Sequence, residues 1–222
     1  MKLIKYADRE MLAIELANRL LDELKSSLLF HSEVCFVVPG GTTPGPIFDI
    51  LCAADIEWDR VHLFLSDERW VPENHKRSNT RVIKERFLIK RAAAAQFIPF
   101  YMPGKTPATA SPILSEILAN KMPISLLLLG MGVDMHTASL FPNAVNLPAM
   151  LTNNAPLIVP VSVIGQEPRI SLSGRALKSA TIKHLVISGA DKLAALEIAQ
   201  EHTPVTAPVA TVLDNLTVHW AE

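Results

Sequence analysis

The chain has 222 residues, of which 49% are hydrophobic and 19% charged, with a formal net charge of -1. This composition supplies a sizeable core and excludes a disordered chain, and the balanced charge excludes a broad nucleic-acid-binding surface, which needs an excess of Lys and Arg. The longest apolar run, 124–129, is far short of the roughly 20 residues that cross a bilayer. The first residues lack the apolar centre of a signal peptide, so the sequence reads as a soluble cytoplasmic protein without a membrane partner.

Asp8 is placed to cap a first helix in which Met11, Leu12, Leu16, Leu20, Leu21 and Leu24 recur at helical spacing to about Ser26. Residues 33–38 read as a buried strand. Pro44 opens a second helix, to about Ala53, at a first turn where its missing N–H costs nothing. Residues 60–65 form the next strand, Ser78 caps a helix through Val82, Ile83 and Phe87, and a short strand follows over 97–101. Segment 103–112, with three prolines in ten residues, reads as a surface loop entering a helix over 113–119, either a mobile lid or a plain connection. Beyond the apolar run 124–129, strands are predicted over 157–163, 169–173, 184–187 and 217–220, with a helix over 191–200. Cys35 and Cys52 are isolated and read as buried free thiols. No linker or repeat divides the chain, so one domain spans 1–222. Strands alternating with helices, and apolar on both faces, predict an α/β fold whose mainly parallel sheet is covered by helices on both faces.

Loops at the carboxyl edge of such a sheet converge and carry the chemistry. Behind strand 124–129 stands Gly130-Met131-Gly132-Val133-Asp134-Met135-His136-Thr137-Ala138-Ser139-Leu140-Phe141-Pro142. His136 is the candidate acid–base catalyst, because an imidazole takes a proton from water near neutral pH and returns it to a leaving alkoxide, typically worth ~10² to 10⁴ in rate. Asp134 either orients the imidazole and stabilises its charged form or only shapes the loop as an Asx-turn. Pro39-Gly40-Gly41-Thr42-Thr43-Pro44 follows strand 33–38. There, free N–H groups at a helix start and the hydroxyls of Thr42 and Thr43 suit an anion, with an ordinary tight turn as the alternative. In Asp67-Glu68-Arg69-Trp70-Val71-Pro72, Asp67 and Arg69 share a face if the strand continues. Arg69 then offers a planar fork to a phosphate or a developing oxyanion, with Asp67 holding it, unless the two are a solvated pair. Asn79 either bonds a ligand hydroxyl or helps Ser78 begin its helix. The other histidines show no metal-ligand spacing, and Gly130-Met131-Gly132 lacks the third glycine of a dinucleotide fingerprint, so neither a metal nor NAD is expected.

These loops, in this order, together with Arg169-Ile170-Ser171-Leu172 and Gly189-Ala190-Asp191-Lys192, resemble the 6-phosphogluconolactonase family over nearly the whole chain. The resemblance implies a Rossmann-like fold and a cofactor-independent hydrolase that opens 6-phospho-D-glucono-1,5-lactone to 6-phosphogluconate in the oxidative pentose phosphate route. It implies that His136 activates water and that the substrate phosphate lies by Gly40, Gly41, Thr42 and Thr43, with Arg69 and Lys192 as cationic partners. Arg169 also enters as a binding residue through the resemblance, since alone Lys192 reads as a surface residue at a helix start and Arg169 as a strand-end charge. A sugar phosphate is the implied small-molecule partner, and the oligomeric state stays open between monomer and dimer. The related glucosamine-6-phosphate deaminases share the scaffold but run on as His-Ile-Ala-Phe-Asn-Glu-Pro, an acidic residue this chain lacks after His136. Deamination or aldose–ketose isomerisation is therefore the second reading, and non-catalytic sugar-phosphate binding the third. One position departs from the family's usual Asp-Gly-His: this chain has Asp134-Met135-His136. A glycine with positive φ there would make Met135 cost roughly 1 kcal/mol, whereas an ordinary angle would cost nothing. Met135 is expected to be tolerated, with its side chain packed away from the reacting carbon.

Overall fold

All five residues of Val34–Val38 (β2), all five of Val61–Leu65 (β3) and all four of Leu126–Leu129 (β6) are buried. Strands apolar on both faces belong in the middle of a parallel sheet covered by helices. The computed structural model, which describes residues Met1–Glu222, puts them there. Around them the chain runs β1 (Lys2–Lys5), α1 (Arg9–Phe30), β2, α2 (Gly45–Leu51), β3, β4 (Asp67–Arg69), α3 (Asn79–Arg86), β5 (Gln96–Ile98), α4 (Pro107–Ala119) and β6. It continues through α5 (Leu147–Met150), β7 (Ile158–Val161), β8 (Arg169–Leu172), α6 (Gly174–Lys178), β9 (Ile182–Ser188), α7 (Ala190–Ala199) and β10 (Leu216–Ala221). Seven strands pair in parallel in the order β1-β10-β9-β6-β2-β3-β5, flanked by helices, over a core cluster of 60 buried residues.

The strand order reverses between β2 and β6. From β2 the chain moves outward through β3 to β5, and from β6 it moves the other way through β9 to β10. The loops leaving the carboxyl ends of β2 and β6 must diverge to opposite sides, and the crevice between them is where such sheets bind ligands.

Predicted and observed elements differ at the short helices α5 and α6, which the pattern did not mark, and in three further places. The strand at 60–65 ends at Leu65, where Ser66 turns the chain out of the sheet: its N–H bonds Val38 O at 2.8 Å while its carbonyl accepts Leu172 N–H at 2.8 Å. Asp67–Arg69 then joins β8 and β7 in a separate three-stranded antiparallel sheet, in which Arg69 faces Arg169. The expected loop over 103–112 is largely helical. Thr106 and Thr109 form a capping box, Pro107 occupies the first turn, and Ser111 Oγ bonds Pro107 O at 2.6 Å just before Pro112. Lastly, β1 is an edge strand with Lys at both ends, too short to show in the pattern. Asp8 caps α1 as expected, its side chain accepting from Met11 N–H. Both cysteines are free and buried, and burial pushes the Cys35 thiol up to about 12. No helix is long and apolar enough to cross a membrane.

Candidate active site

The crevice at the β2/β6 switch is a cleft of about 280 Å³. Its wall contains Gly40, Gly41, Thr42, Thr43, Asp67, Arg69, Asn79, His136, Arg169 and Lys192, so every predicted site residue except Asp134 faces one space. Asp134 stands behind the imidazole instead, its Oδ1 2.5 Å from His136 Nδ1 and 3.3 Å from the His136 backbone N. With Nδ1 committed to a carboxylate, Nε2 is the ring nitrogen left to act in the cleft. Burial acts to raise the Asp134 carboxyl, but the hydrogen bond and charge of His136 outweigh it and hold it below its ordinary value. The Phe141 ring lies 4.3 Å from the imidazole, centre to centre, and tilted by 31°.

The loop that presents His136 has little slack. A Cβ on Gly132 would stand 2.3 Å from His136 Nδ1 and Cε1 and 2.4 Å from Asp134 Oδ1, so only hydrogen fits beneath the pair. Met135 has φ 64° and Ala138 φ 49°. Left-handed backbone at a residue with a Cβ costs about 1–3 kcal/mol and persists only where surrounding contacts impose it. Those contacts are Val209 N–H to Met135 O at 3.0 Å, Gly132 N–H to His136 O at 3.0 Å, Thr137 Oγ to Gly130 O at 2.9 Å, and Ser139 N–H to Ser171 Oγ at 3.1 Å. Position 135 thus does use the positive angle. The Met135 side chain packs against the hydrophobic core and takes no part in the cleft wall.

In the same cleft, the N–H groups of Gly40, Gly41, Thr42 and Thr43 donate to no group within the chain. Gly41 has φ 88°, and a Cβ on Gly40 would overlap the Asn79 amide at 2.0 Å. Two expectations need correction here. Asp67 does not hold Arg69: its carboxylate accepts from Ser139 Oγ at 2.5 Å and from Ser66 Oγ at 3.1 Å. Arg69 is held by Arg77 O at 2.8 Å and Asn79 Oδ1 at 3.2 Å, with Glu167 Oε1 3.7 Å from its Nε. Asn79 is likewise engaged, since its Nδ2 donates to Asp67 O at 2.9 Å while its Oδ1 receives Arg69. Its amide therefore shapes the wall by bracing Arg69.

Arg169 is 7% exposed, with its guanidinium carbon 5.0 Å from the Phe141 ring centre and Nη2 donating to Gln166 at 3.2 Å. Burial lowers its affinity for the proton, with the charge of Asp67 opposing and that of Arg69 adding to the effect. Lys192, on the first turn of α7 behind Gly189, is also shifted down by burial. Neither cation is in a salt bridge. Arg169 is thus a buried cation with no carboxylate in salt-bridge reach, a costly placement that an incoming anion offsets.

A sequence model of the family described as Glucosamine-6-phosphate isomerases/6-phosphogluconolactonase matches residues 7–220. The chain belongs to this family. It is 36% identical over 220 residues to the 6-phosphogluconolactonase of Pseudomonas aeruginosa, covering 94% of this chain and 88% of that protein. To the 6-phosphogluconolactonase of Pseudomonas putida it is 34% identical over 226 residues, covering 99% and 92%. The crystal structure of a 6-phosphogluconolactonase from Shewanella baltica superposes with a TM-score of 0.95 at 29% identity, covering 100% of this chain and 98% of that one. A putative 6-phosphogluconolactonase from Neisseria gonorrhoeae gives 0.90 at 30% identity, with both chains covered in full.

In this member of the glucosamine-6-phosphate isomerase/6-phosphogluconolactonase family, sequence reasoning passed over three contributors to the site. Glu68 is fully buried and accepts from the N–H groups of Arg69, Asn79 and Thr80 at 2.7–2.9 Å and from Ser78 Oγ at 3.2 Å. It ties β4 to the start of α3, and burial raises its carboxyl against those hydrogen bonds. An acid one residue before Arg69 and ten before a helix cap was the available signal. Glu167, which bonds Arg77 at 2.9 Å, and Phe141 carried no signal beyond their place in the motifs. No three His, Cys, Asp or Glu side chains gather as a metal site would require.

Proposed function

We propose that this chain hydrolyses 6-phospho-D-glucono-1,5-lactone to 6-phosphogluconate, as a single 6-phosphogluconolactonase-like domain over 1–222 acting in the cytoplasm on a small-molecule sugar phosphate. The observation that carries the proposal is the shared cleft: one imidazole with Nε2 available faces donors and cations suited to a phosphate. The relatives named above support the choice of substrate.

Four amides at Gly40–Thr43, with Arg69, Arg169 and Lys192, hold the phosphate and fix the lactone ring. His136 Nε2 removes a proton from water as the water oxygen bonds to the carbonyl carbon. Asp134 stabilises the imidazolium that results. Backbone donors lining the cleft meet the negative charge on the former carbonyl oxygen. Collapse of the tetrahedral adduct breaks the bond to the ring oxygen, which takes the proton back from Nε2. The product acid then ionises in solution.

The test generates the lactone in place with a dehydrogenase and follows its loss above the spontaneous rate. The protein accelerates that loss, His136→Ala stays folded and loses at least ~10²-fold in kcat, and glucosamine 6-phosphate releases no ammonia. Ammonia release without lactone hydrolysis would defeat the assignment, and wild-type kcat in His136→Ala would remove that residue from its role.

A further inference from the structure

Asp67 is an acidic group in a wall that otherwise suits an anion. A carboxylate beside a phosphate repels it, so its place calls for a role other than gripping the substrate. Its partners supply one. Asp67 Oδ2 accepts from Ser139 Oγ at 2.5 Å, and both residues are buried. Ser139 follows directly on Ala138, one of the two left-handed residues that flank His136, and its own N–H donates to Ser171 Oγ at 3.1 Å. Asp67 is two residues from Arg69 and bonds Ser66, the residue where the chain leaves the main sheet. The Ser139–Asp67 bond therefore ties the loop that carries the imidazole to the strand that carries a phosphate-facing cation.

We propose that Ser139 and Asp67 are a positioning pair that sets the distance from the anion-binding wall to His136 Nε2, and so aligns the lactone carbonyl with the activated water. This assignment rests on the lactonase reading above. Neither residue exchanges a proton with substrate. The hydroxyl holds the catalytic loop in a backbone conformation that its residues do not favour alone, and the buried carboxylate depends on the hydroxyl for a short donor. A displacement of about 1 Å in a reacting group costs on the order of 10²-fold in rate, whereas the groups that bind phosphate stay where they are. The loss belongs in kcat rather than in KM.

The experiment compares kcat, KM and Tm for Ser139→Ala, Asp67→Ala and the double variant, with His136→Ala as reference. Ser139→Ala leaves the carboxylate charge near Arg169 intact and is the cleaner probe. Each single variant should lose at least tenfold in kcat with KM within twofold of wild type. The double variant should be no more than twofold below the weaker single, because one bond is broken in all three. Wild-type kcat with only a lower Tm, a KM that rises in step with any loss, or single losses that multiply in the double variant would overturn the pairing. If Ser139→Ala does not fold, Ser139→Cys keeps the volume and a weaker donor. Reduced kcat in that variant supports the pair, and wild-type kcat overturns it. No acceleration of lactone loss by the wild-type protein would refute the lactonase reading itself, whereas turnover lost in His136→Ala but kept in Ser139→Ala refutes only the pair.

Discussion

Asp134 Oδ1 faces two nitrogens of one residue, the His136 ring Nδ1 at 2.5 Å and the His136 backbone N at 3.3 Å. The backbone contact is the Asx-turn and the ring contact is the orienting bond, so the two roles that the sequence left as alternatives coexist in one oxygen. Asp134→Asn separates them, because an amide oxygen preserves the turn while the charge beside the imidazole is lost. At least a tenfold loss of kcat with little change in Tm is expected. The carboxyl is held below its ordinary value, so its contribution is complete above the unfolded carboxylate pKa of about 3.9 and is lost as pH falls through the lower folded value. Asp134→Asn should give up that small contribution near neutral pH and make acid unfolding correspondingly less steep. A wild-type kcat in the variant would count against the orienting role.

Gly132 lies directly under the same pair. Gly132→Ala places a carbon 2.3 Å from the ring and 2.4 Å from the carboxylate, and one of them must move. We expect a loss of kcat on the order of 10²-fold with far-UV circular dichroism unchanged. An active Gly132→Ala enzyme would show that the pair tolerates displacement.

Met135 occupies a left-handed position with its side chain on the core. In Met135→Gly, relief of backbone strain is offset by a more flexible unfolded chain and by lost packing. The net stability change should stay within about 1 kcal/mol. Because the side chain is outside the cleft wall, kcat/KM should remain within twofold. A many-fold gain would mean that the methionine obstructs the reaction.

Away from the cleft, Tyr6 O–H meets His219 Nδ1 at 2.7 Å, His219 Nε2 meets His184 Nδ1 at 2.9 Å, and His184 Nε2 meets Glu23 at 2.7 Å. Burial, then the charges of His184, Arg19 and Lys2, lowers His219 from 6.5 to about 3. Between those values the unfolded chain binds a proton that the folded chain refuses, so stability falls as pH drops through this window, at up to about 1.4 kcal/mol per unit. His219→Gln should flatten the dependence of unfolding free energy on pH from 6 to 4 in denaturant titrations. An unchanged slope would assign that acid sensitivity to other groups.

The central strands and their loops were legible because fully apolar runs ending in glycine and acid residues admit few other readings. That legibility extended to the cleft, which gathers the residues singled out at the ends of β2, β3 and β6. The antiparallel sheet was not legible, since the pattern of 157–163 or 169–173 marks a strand without naming its partner. Asp67 pairs with Ser139 across 72 positions of sequence, and local spacing made Arg69 the nearer candidate. The first turns of α4 were hidden by proline, a residue that reads as a loop until Thr106 and Ser111 are seen to support it.

The seam where Phe36 pairs with Leu126 divides the catalytic equipment between two stretches of chain. A cut between β5 and α4 would leave the glycine-threonine loop and Arg69 on one fragment, and His136, Arg169 and Lys192 on the other. Neither piece would turn over substrate alone. Mixed together, they would regain turnover only as far as the seam reforms, which makes hydrolysis itself a gauge of fragment complementation.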